Sequence, residues 1–221
     1  MPLTHYQAVL FDLDGTLLDT APDFVIALNK MLDRHKRPAL TERAIRAIVT
    51  HGSAGLIRYA FNCTEDDADF AALREEFLDI YYQNLTQKTC LFPGMETLLN
   101  SLGQRNIPWG IVTNKPRRFT QAILEGIPLQ PAPQSVVCPD DVKNTKPHPE
   151  PVLLACEQLG IAPEHTIFVG DHIRDIEAGL NAGSTTIAAA YGYIDEHERP
   201  EDWGAHHLIK KSTDLLPLLI P

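Results

Sequence analysis

Short apolar runs alternate with stretches of helical periodicity along most of this chain. Five runs have the length and composition of buried strands: AVLFDLD, PWGIVTN, SVVCPD, TIFVGD and STTIAAA. Between them apolar residues recur at helical spacing, as at Met95, Leu98, Leu99 and Leu102, and Gly103 is expected to end that helix. The segments EPVLLACEQLG and RDIEAGLNAG have the same form. Strands alternating with helices predict an α/β fold with a parallel sheet.

The alternation stops between residues 18 and 91, where helical periodicity is visible and no convincing strand is. Thr64 and Asp67 have the spacing of a capping box that would open the last helix of this segment. A single crossover connection needs only about a dozen residues. We therefore predict a small helical cap domain over 18–91, inserted after the first strand, and a core formed by 1–17 and 92–221. The two apolar stripes of the cap are Phe24, Val25, Leu28, Met31 and Leu32, and Leu73, Phe77, Ile80 and Tyr81.

Charge and composition limit the classes of partner. The formal net charge is −10, and 44% of the residues are hydrophobic, as in an ordinary globular protein. A net negative charge disfavours nucleic acid and anionic membrane surfaces, because both would repel the protein. No apolar stretch approaches the roughly 18 residues of a membrane-spanning helix. We therefore predict no nucleic-acid partner and no membrane partner.

The four cysteines, Cys63, Cys90, Cys138 and Cys156, form neither a CxxC pair nor a pattern with histidines. Such a distribution is typical of reduced thiols. The only early apolar run is too short for a secretory signal. These features predict a cytoplasmic location.

Two aspartates, Asp12 and Asp14, follow the first predicted strand and are followed at once by Gly15. At positions i and i+2 of an extended segment their carboxylates point the same way. They repel each other unless a cation lies between them or one keeps its proton. A hard divalent cation such as Mg²⁺ suits oxygen ligands. A solvated turn is the alternative for an isolated DxD sequence, whereas a calcium loop would need glycine where Leu17 stands.

Polar residues also follow later strands. Thr113 and Asn114 end IVTN with a hydroxyl and an amide that can donate to phosphate oxygens. Lys146 lies in the proline-rich loop NTKPHP, where its charge could offset a phosphoryl group and a carboxylate. Asp171 ends FVGD, and Asp175 follows four residues later. Because ligands of parallel α/β sheets bind beyond the carboxyl ends of the strands, the clusters indicate one site for phosphate and metal.

The motifs, in this order, resemble those of the haloacid dehalogenase superfamily of phosphohydrolases: DLDGT, Thr113-Asn114, Lys146 in KPHP, and GDHIRD. The resemblance covers essentially the whole chain, including the helical segment between the first two motifs. It implies a Rossmann-like parallel sheet core with an inserted α-helical cap. It also implies a Mg²⁺-dependent phosphomonoesterase that acts on a small-molecule phosphate ester.

The same resemblance implies roles for the aspartates. Asp12 would be the nucleophile that becomes an aspartyl phosphate, and Asp14 the general acid and then the general base. Mg²⁺ would be held by the carboxylates of Asp12 and Asp171 and by the backbone carbonyl of Asp14. A phosphoaspartate signalling domain and a dehalogenase are disfavoured, because Asp14 promotes hydrolysis and dehalogenase relatives lack it.

The remaining motif residues would serve the phosphoryl group and its surroundings. Thr113, Asn114 and Lys146 would bind phosphate, and Asp175 would support the loop that carries Asp171. Basic residues directly after the second motif are expected at a solvated helix start: Lys115, Arg117 and Arg118.

Within the superfamily the motifs best match the phosphoglycolate phosphatase branch. The stretches VVCPDDVKNTKPHPEP and AYGYIDEHERPEDWGAHHLI further resemble bacterial phosphatases that act on N-acetylmuramic acid 6-phosphate in cell-wall recycling. The cap is expected to choose the substrate, with His51, Ser53 and Arg58 as candidate contacts; a solvated position is the alternative for Arg58. Phosphoglycolate is the alternative substrate. A phosphomutase, which returns the phosphoryl group to a sugar, is the alternative from another enzyme class.

Overall fold

The computed structural model describes residues 6–220, which divide into two compact units. The sheet unit contains residues 6–19, Leu91–Ile194 and 198–220, and the helical unit contains Thr20–Cys90 and Asp195–His197. The predicted domain boundaries, and a capping role for residues 18–91, stay predictions.

The strands, in chain order, are β1 (Ala8–Phe11), β2 (Leu18–Asp19), β3 (Cys90–Leu91), β4 (Trp109–Val112), β5 (Ser135–Val137), β6 (Thr166–Gly170), β7 (Thr185–Ala189) and β8 (His207–Ile209). Within the described residues, six of them form one sheet in the order β5-β4-β1-β6-β7-β8, and β2 pairs with β3 separately. Every neighbouring pair in the large sheet is parallel. The predicted α/β fold is thereby confirmed.

The helices are α1 (Ala21–Arg34), α2 (Glu42–Arg46), α3 (Gly52–Phe61), α4 (Phe70–Gln83), α5 (Met95–Gln104), α6 (Arg117–Gly126), α7 (Glu150–Leu159), α8 (Ile173–Ala182) and α9 (Leu215–Leu219). In the sheet unit, α7 and α8 cover one face of the sheet. Their buried Val152, Ala155 and Ala178 pack with Leu10 and Phe168 of the central strands. This burial of apolar surface favours the layered arrangement.

Helix ends match the prediction in two cases and differ in one. Gly160 and Gly183 adopt left-handed conformations directly after α7 and α8, as expected of C-terminal glycines. The prediction for Gly103 is wrong, because α5 continues through it to Gln104. Asn106 supplies the left-handed residue there (φ 55°), and Ile107 N–H closes the helix end on the carbonyl of Leu102 at 2.9 Å.

The helical unit contains α1 to α4, and its apolar stripes are largely buried, as predicted. Phe24 of α1 stacks on Tyr81 of α4 with ring centroids 4.1 Å apart. The capping-box prediction is wrong: the backbone N–H of Thr64 donates to Asp67 at 2.6 Å, but within a turn, and α4 begins at Phe70. The prediction that no strand lies between residues 18 and 91 is also wrong, because β2 and β3 lie at the ends of that segment.

Among residues 6–220, no helix has both the length and the apolar character that a membrane span requires.

Candidate active site

The carboxyl ends of three neighbouring strands bring the first, second and fourth motifs to one edge of the sheet. Val9 of β1 lies opposite Trp109 of β4 and Ile167 of β6, so the three strands end at the same level. Asp12 therefore follows β1 where Asp171 follows β6. The backbone N–H of Asp12 extends the pairing by donating to the carbonyl of Val169 at 2.9 Å.

Asp12, Asp171 and Asp175 form an acidic cluster. One carboxylate oxygen from each lies within 4.8 Å of the others, and all three residues are buried. Asp175 reaches the cluster from the first turn of α8, where its carboxylate also accepts the backbone N–H of His172 at 3.0 Å. Oxygen donors arranged in this way could hold a metal ion.

Lys146 provides the positive charge that faces this cluster. Its Nζ lies 2.7 Å from Asp12 Oδ1 and 2.7 Å from Asp175 Oδ1, and it donates to the carbonyl of Val112 at 2.7 Å. All three ammonium hydrogens therefore have an acceptor. The structure thus brings Lys146, predicted as a phosphate ligand, directly to the predicted nucleophile.

Burial and mutual repulsion control the electrostatics of the cluster. Burial is the main cause that raises the pKa of Asp12 to about 6, although Lys146 lowers it; Asp175 and Asp14 raise it further. Burial, together with the charges of Asp12 and Asp175, also raises the pKa of Asp171 well above its usual range. Burial alone would lower the pKa of Lys146, but the two carboxylates raise it overall. A bound cation would favour the ionised carboxylates and so oppose the rise in these pKa values that burial and mutual repulsion cause. The residues present therefore fit a divalent metal.

Asp14 forms an ion pair that the sequence analysis missed. Lys115 Nζ lies 3.0 Å and 3.2 Å from the two carboxylate oxygens of Asp14, and its side chain is only 6% exposed. The prediction of a solvated Lys115 is therefore wrong. The sequence contained one indication of this ion pair: Lys115 directly follows the Thr113-Asn114 motif. Residues that follow β4 lie at the same edge of the sheet as Asp14, which follows β1.

The second motif holds its own surroundings together. The hydroxyl of buried Thr113 accepts the backbone N–H of Lys115 at 3.1 Å. The side-chain amide of Asn114 donates to the backbone carbonyl of Lys146 at 3.0 Å, which links the second motif to the third. The contacts of Asn114 thus connect it to the Lys146 loop, and the phosphate-binding roles of Thr113 and Asn114 stay predictions.

The three predicted specificity residues lie in the helical unit, and each has a partner there. His51 Nε2 lies 2.8 Å from Asp195 Oδ2. Arg74 donates to the hydroxyl of Ser53 at 2.9 Å. An ion pair at 2.9 Å joins Arg58 to Glu65, and both side chains are close to half exposed. Their roles in choosing a substrate stay predictions.

Comparisons with known proteins agree with the motifs. The family model described as haloacid dehalogenase-like hydrolase matches residues 9–189. The chain is 43% identical over 209 residues to the N-acetylmuramic acid 6-phosphate phosphatase of Pseudomonas putida, covering 95% of this chain and 94% of that protein. It is 39% identical over 209 residues to the phosphoglycolate phosphatase of Xanthomonas campestris pv. campestris, with the same coverage of 95% and 94%.

A solved structure has the same architecture. The crystal structure of a predicted phosphoglycolate phosphatase from Haemophilus somnus superposes with a TM-score of 0.84 at 25% identity, covering 97% of this chain and 98% of that one. The chain belongs to the haloacid dehalogenase-like hydrolase family. The resemblance inferred from the motifs is confirmed.

Proposed function

We propose that this protein is a Mg²⁺-dependent phosphomonoesterase that hydrolyses N-acetylmuramic acid 6-phosphate. The observation that carries the phosphatase assignment is the buried cluster of Asp12, Asp171 and Asp175 with Lys146 in contact with two of its members. Phosphoryl transfer depends mostly on positioning and charge neutralisation, and this cluster supplies a nucleophilic carboxylate beside a fixed cation.

Each step of the proposed reaction assigns a task to a residue of the chain. A carboxylate oxygen of Asp12 attacks phosphorus, the P–O bond to the alcohol breaks, and Asp14 gives a proton to the departing oxygen. Asp14 then takes a proton from water as water attacks phosphorus, the bond from Asp12 to phosphorus breaks, and inorganic phosphate leaves. Lys146 holds the Asp12 carboxylate in place and offsets phosphoryl charge. Lys115 holds the carboxylate form of Asp14 between these two steps.

Mg²⁺ would be held by the carboxylates of Asp12 and Asp171, with the backbone carbonyl of Asp14 as a further ligand. Asp175 is bound to Lys146 at 2.7 Å, which supports a positioning role for it. When bound, the ion would neutralise negative charge on the transferring phosphoryl group.

The choice of substrate is supported by the named relatives and by the HGSAG stretch at the start of α3. The Pseudomonas putida relative, named for the muramic acid phosphate, is 43% identical, against 39% for the phosphoglycolate phosphatase. Gly52 of this stretch would leave room for a bulky sugar, since no atom lies within 4 Å of the position that a Cβ would take there. Arg58 or His51 could bind the lactyl carboxylate of that sugar. Phosphoglycolate is the second candidate, because the Xanthomonas campestris relative of that name covers the chain equally well.

Phosphate release from the two candidate substrates tests the proposal. With purified protein and Mg²⁺, we expect a higher kcat/KM for N-acetylmuramic acid 6-phosphate than for 2-phosphoglycolate. A preference of at least tenfold for phosphoglycolate, about 1.4 kcal/mol of transition-state discrimination, would overturn the substrate while leaving a phosphatase. If neither substrate releases phosphate, or if release requires a bisphosphate activator, the assignment as a phosphomonoesterase is contradicted.

A matched pair of variants tests the proposed carboxylate contact. Arg58→Ala should raise KM for the muramic substrate more than for an aryl phosphate, because only the former has a carboxylate to lose. Glu65→Ala removes the competing partner of Arg58 and should leave that KM unchanged or lower it. Equal effects of Arg58→Ala on both substrates would exclude Arg58 from recognition.

A further inference from the structure

The loop after β7 contains the segment Tyr191, Gly192 and Tyr193, here called the YGY segment, which packs against the carboxylate of Asp171. The backbone N–H of Tyr193 donates to Asp171 Oδ2 at 2.7 Å. On the other side, the hydroxyl of Thr16 donates to Asp171 Oδ1 at 2.8 Å. Each carboxylate oxygen can accept a second bond, so both bonds orient Asp171 and still leave it free to bind a cation.

Two glycines allow the backbone to approach this carboxylate so closely. A Cβ on Gly192 would collide with the side chain of Asp171 and with the carbonyl oxygen of Gly15. A Cβ on Gly15 would collide with the same carboxylate from the other side. Gly192 does not have a positive φ, so glycine is required there for space rather than for backbone conformation.

The tyrosine hydroxyls extend this support to the loop that follows β1 and to β2. Tyr191 donates to the backbone carbonyl of Thr16 at 2.8 Å, and thereby holds the residue that binds Asp171 Oδ1. Tyr193 donates to Asp19 Oδ1 at 2.7 Å. The ring of Tyr191 also packs edge to face on Phe92, with centroids 5.1 Å apart. The YGY segment therefore fixes both groups that bind the Asp171 carboxylate.

We propose that the YGY segment positions Asp171 for metal binding, with Gly192 and Tyr191 as positioning residues. The inference rests on the metal dependence in the proposed function and not on the substrate. Partners that orient a ligand commonly change metal affinity about 10- to 100-fold when they are mutated. Here the support acts through two hydrogen bonds to one carboxylate and through a close approach that only glycine permits.

Direct measurement of Mg²⁺ affinity tests this proposal without reference to the substrate. Full-length wild-type protein, Gly192→Ala and Tyr191→Phe are freed of metal with chelator and titrated with Mg²⁺ in a calorimeter. We expect Kd to rise about 10- to 100-fold for Gly192→Ala and about tenfold for Tyr191→Phe. Tyr59→Phe, which removes a hydroxyl from an exposed tyrosine of α3, serves as the control and should not change Kd.

Turnover of an aryl phosphate gives a second measurement. For both variants we expect activity to return toward the wild-type value as Mg²⁺ is raised, because the defect lies in affinity. The midpoint of thermal unfolding in chelator reports whether each variant is folded. If Gly192→Ala is unfolded, the test rests on Tyr191→Phe, because a phenylalanine ring can still pack on Phe92.

The outcomes separate this inference from the proposed function. If wild type binds Mg²⁺ and folded variants bind it equally well, the YGY inference is overturned and the phosphatase assignment stands. Turnover that excess Mg²⁺ does not restore would also overturn the inference. If wild type neither binds Mg²⁺ nor requires a divalent cation, both fail.

Discussion

Replacing Lys146 with methionine tests how the site balances its charge. The ammonium group makes three contacts of 2.7 Å, to Asp12, to Asp175 and to the carbonyl of Val112, and its side chain is 3% exposed. Methionine has a similar length but neither the charge nor the donors. Removing one partner of a buried ion pair typically costs about 3–5 kcal/mol, because a buried charge is left uncompensated. We expect the metal-free variant to lose about that much free energy of unfolding near neutral pH.

The loss should depend on pH in a definite direction. Burial raises the pKa of Asp12 to about 6 and Lys146 opposes that rise, so the pKa rises further without the lysine. A carboxyl group whose pKa is higher in the folded state destabilises the protein progressively as the pH rises from the unfolded pKa to the folded pKa. The full cost remains above the folded pKa, and there is no such cost when both states are protonated. The difference between variant and wild type should therefore be largest above neutrality and shrink as the pH falls toward the usual pKa of an aspartate.

Urea unfolding in the presence of chelator, at about pH 7.5 and about pH 5, measures both effects. Lys210→Met is the matched control: Lys210 pairs with Glu201 at 3.9 Å, and the side chains are 75% and 50% exposed. An exposed pair of this kind contributes less than about 1 kcal/mol. A similarly small loss for Lys146→Met, or a loss that does not shrink at the lower pH, would refute the charge-balance reasoning.

Two further predictions concern the aspartates of the first motif, Asp12 and Asp14, and the lysine that pairs with Asp14. Asp12→Asn should abolish phosphate release, because an amide is a poor nucleophile, and near-normal turnover by this variant would rule out the covalent route. Asp14→Asn should bind Mg²⁺ nearly normally but lose about 10²- to 10⁴-fold in kcat, because it can no longer transfer a proton. Lys115→Met should lower kcat by about tenfold or more with little change in KM, because the variant removes the buried ammonium group that pairs with Asp14. Lys115→Arg keeps a positive charge there and should have a kcat between those of Lys115→Met and wild type. Steady-state kinetics on an aryl phosphate measures both, and an unaltered kcat in Lys115→Met would contradict the role of that lysine.

The strands could be predicted because a parallel sheet that is covered on both faces needs continuous apolar runs. Central strands such as AVLF in β1 and TIFVG in β6 are entirely buried. The edge strand β8 escaped prediction because it has three residues, HLI, and two of them are only partly buried. The end of α5 was misplaced for a different reason: Asn106 can also adopt the left-handed conformation that glycine favours.

The candidate site was predictable as far as motif order could place polar residues at strand ends. Lys115 was missed because its partner, Asp14, lies 101 residues earlier in the chain, in the turn that follows the neighbouring strand β1. The role of Gly192 could not be predicted from the sequence for a similar reason. Sequence indicates that a glycine is present, whereas the need for it comes from the side chain of Asp171, which the fold brings against it.

The acidic cluster contains more negative charge than its lysine can balance, and this excess predicts how metal affinity depends on pH. The cluster holds three carboxylates, and Lys146 contacts two of them. Burial holds the pKa of Asp12 at about 6 and that of Asp171 well above its usual range. Without metal, stability should therefore fall as the pH rises from the usual pKa of an aspartate to about 6, because the unfolded chain loses the Asp12 proton first. Mg²⁺ binds the ionised carboxylates, so binding must release their protons. We expect calorimetry to give a Kd that increases by at least about tenfold for each pH unit below 6, because Asp12 alone releases one proton there, and to detect protons released to the buffer. Asp12→Asn should weaken binding overall and reduce the pH dependence near 6, because one of the two protonated carboxyl groups is lost. A wild-type Kd that stays constant between pH 5 and pH 7 would show that metal binding does not displace these protons.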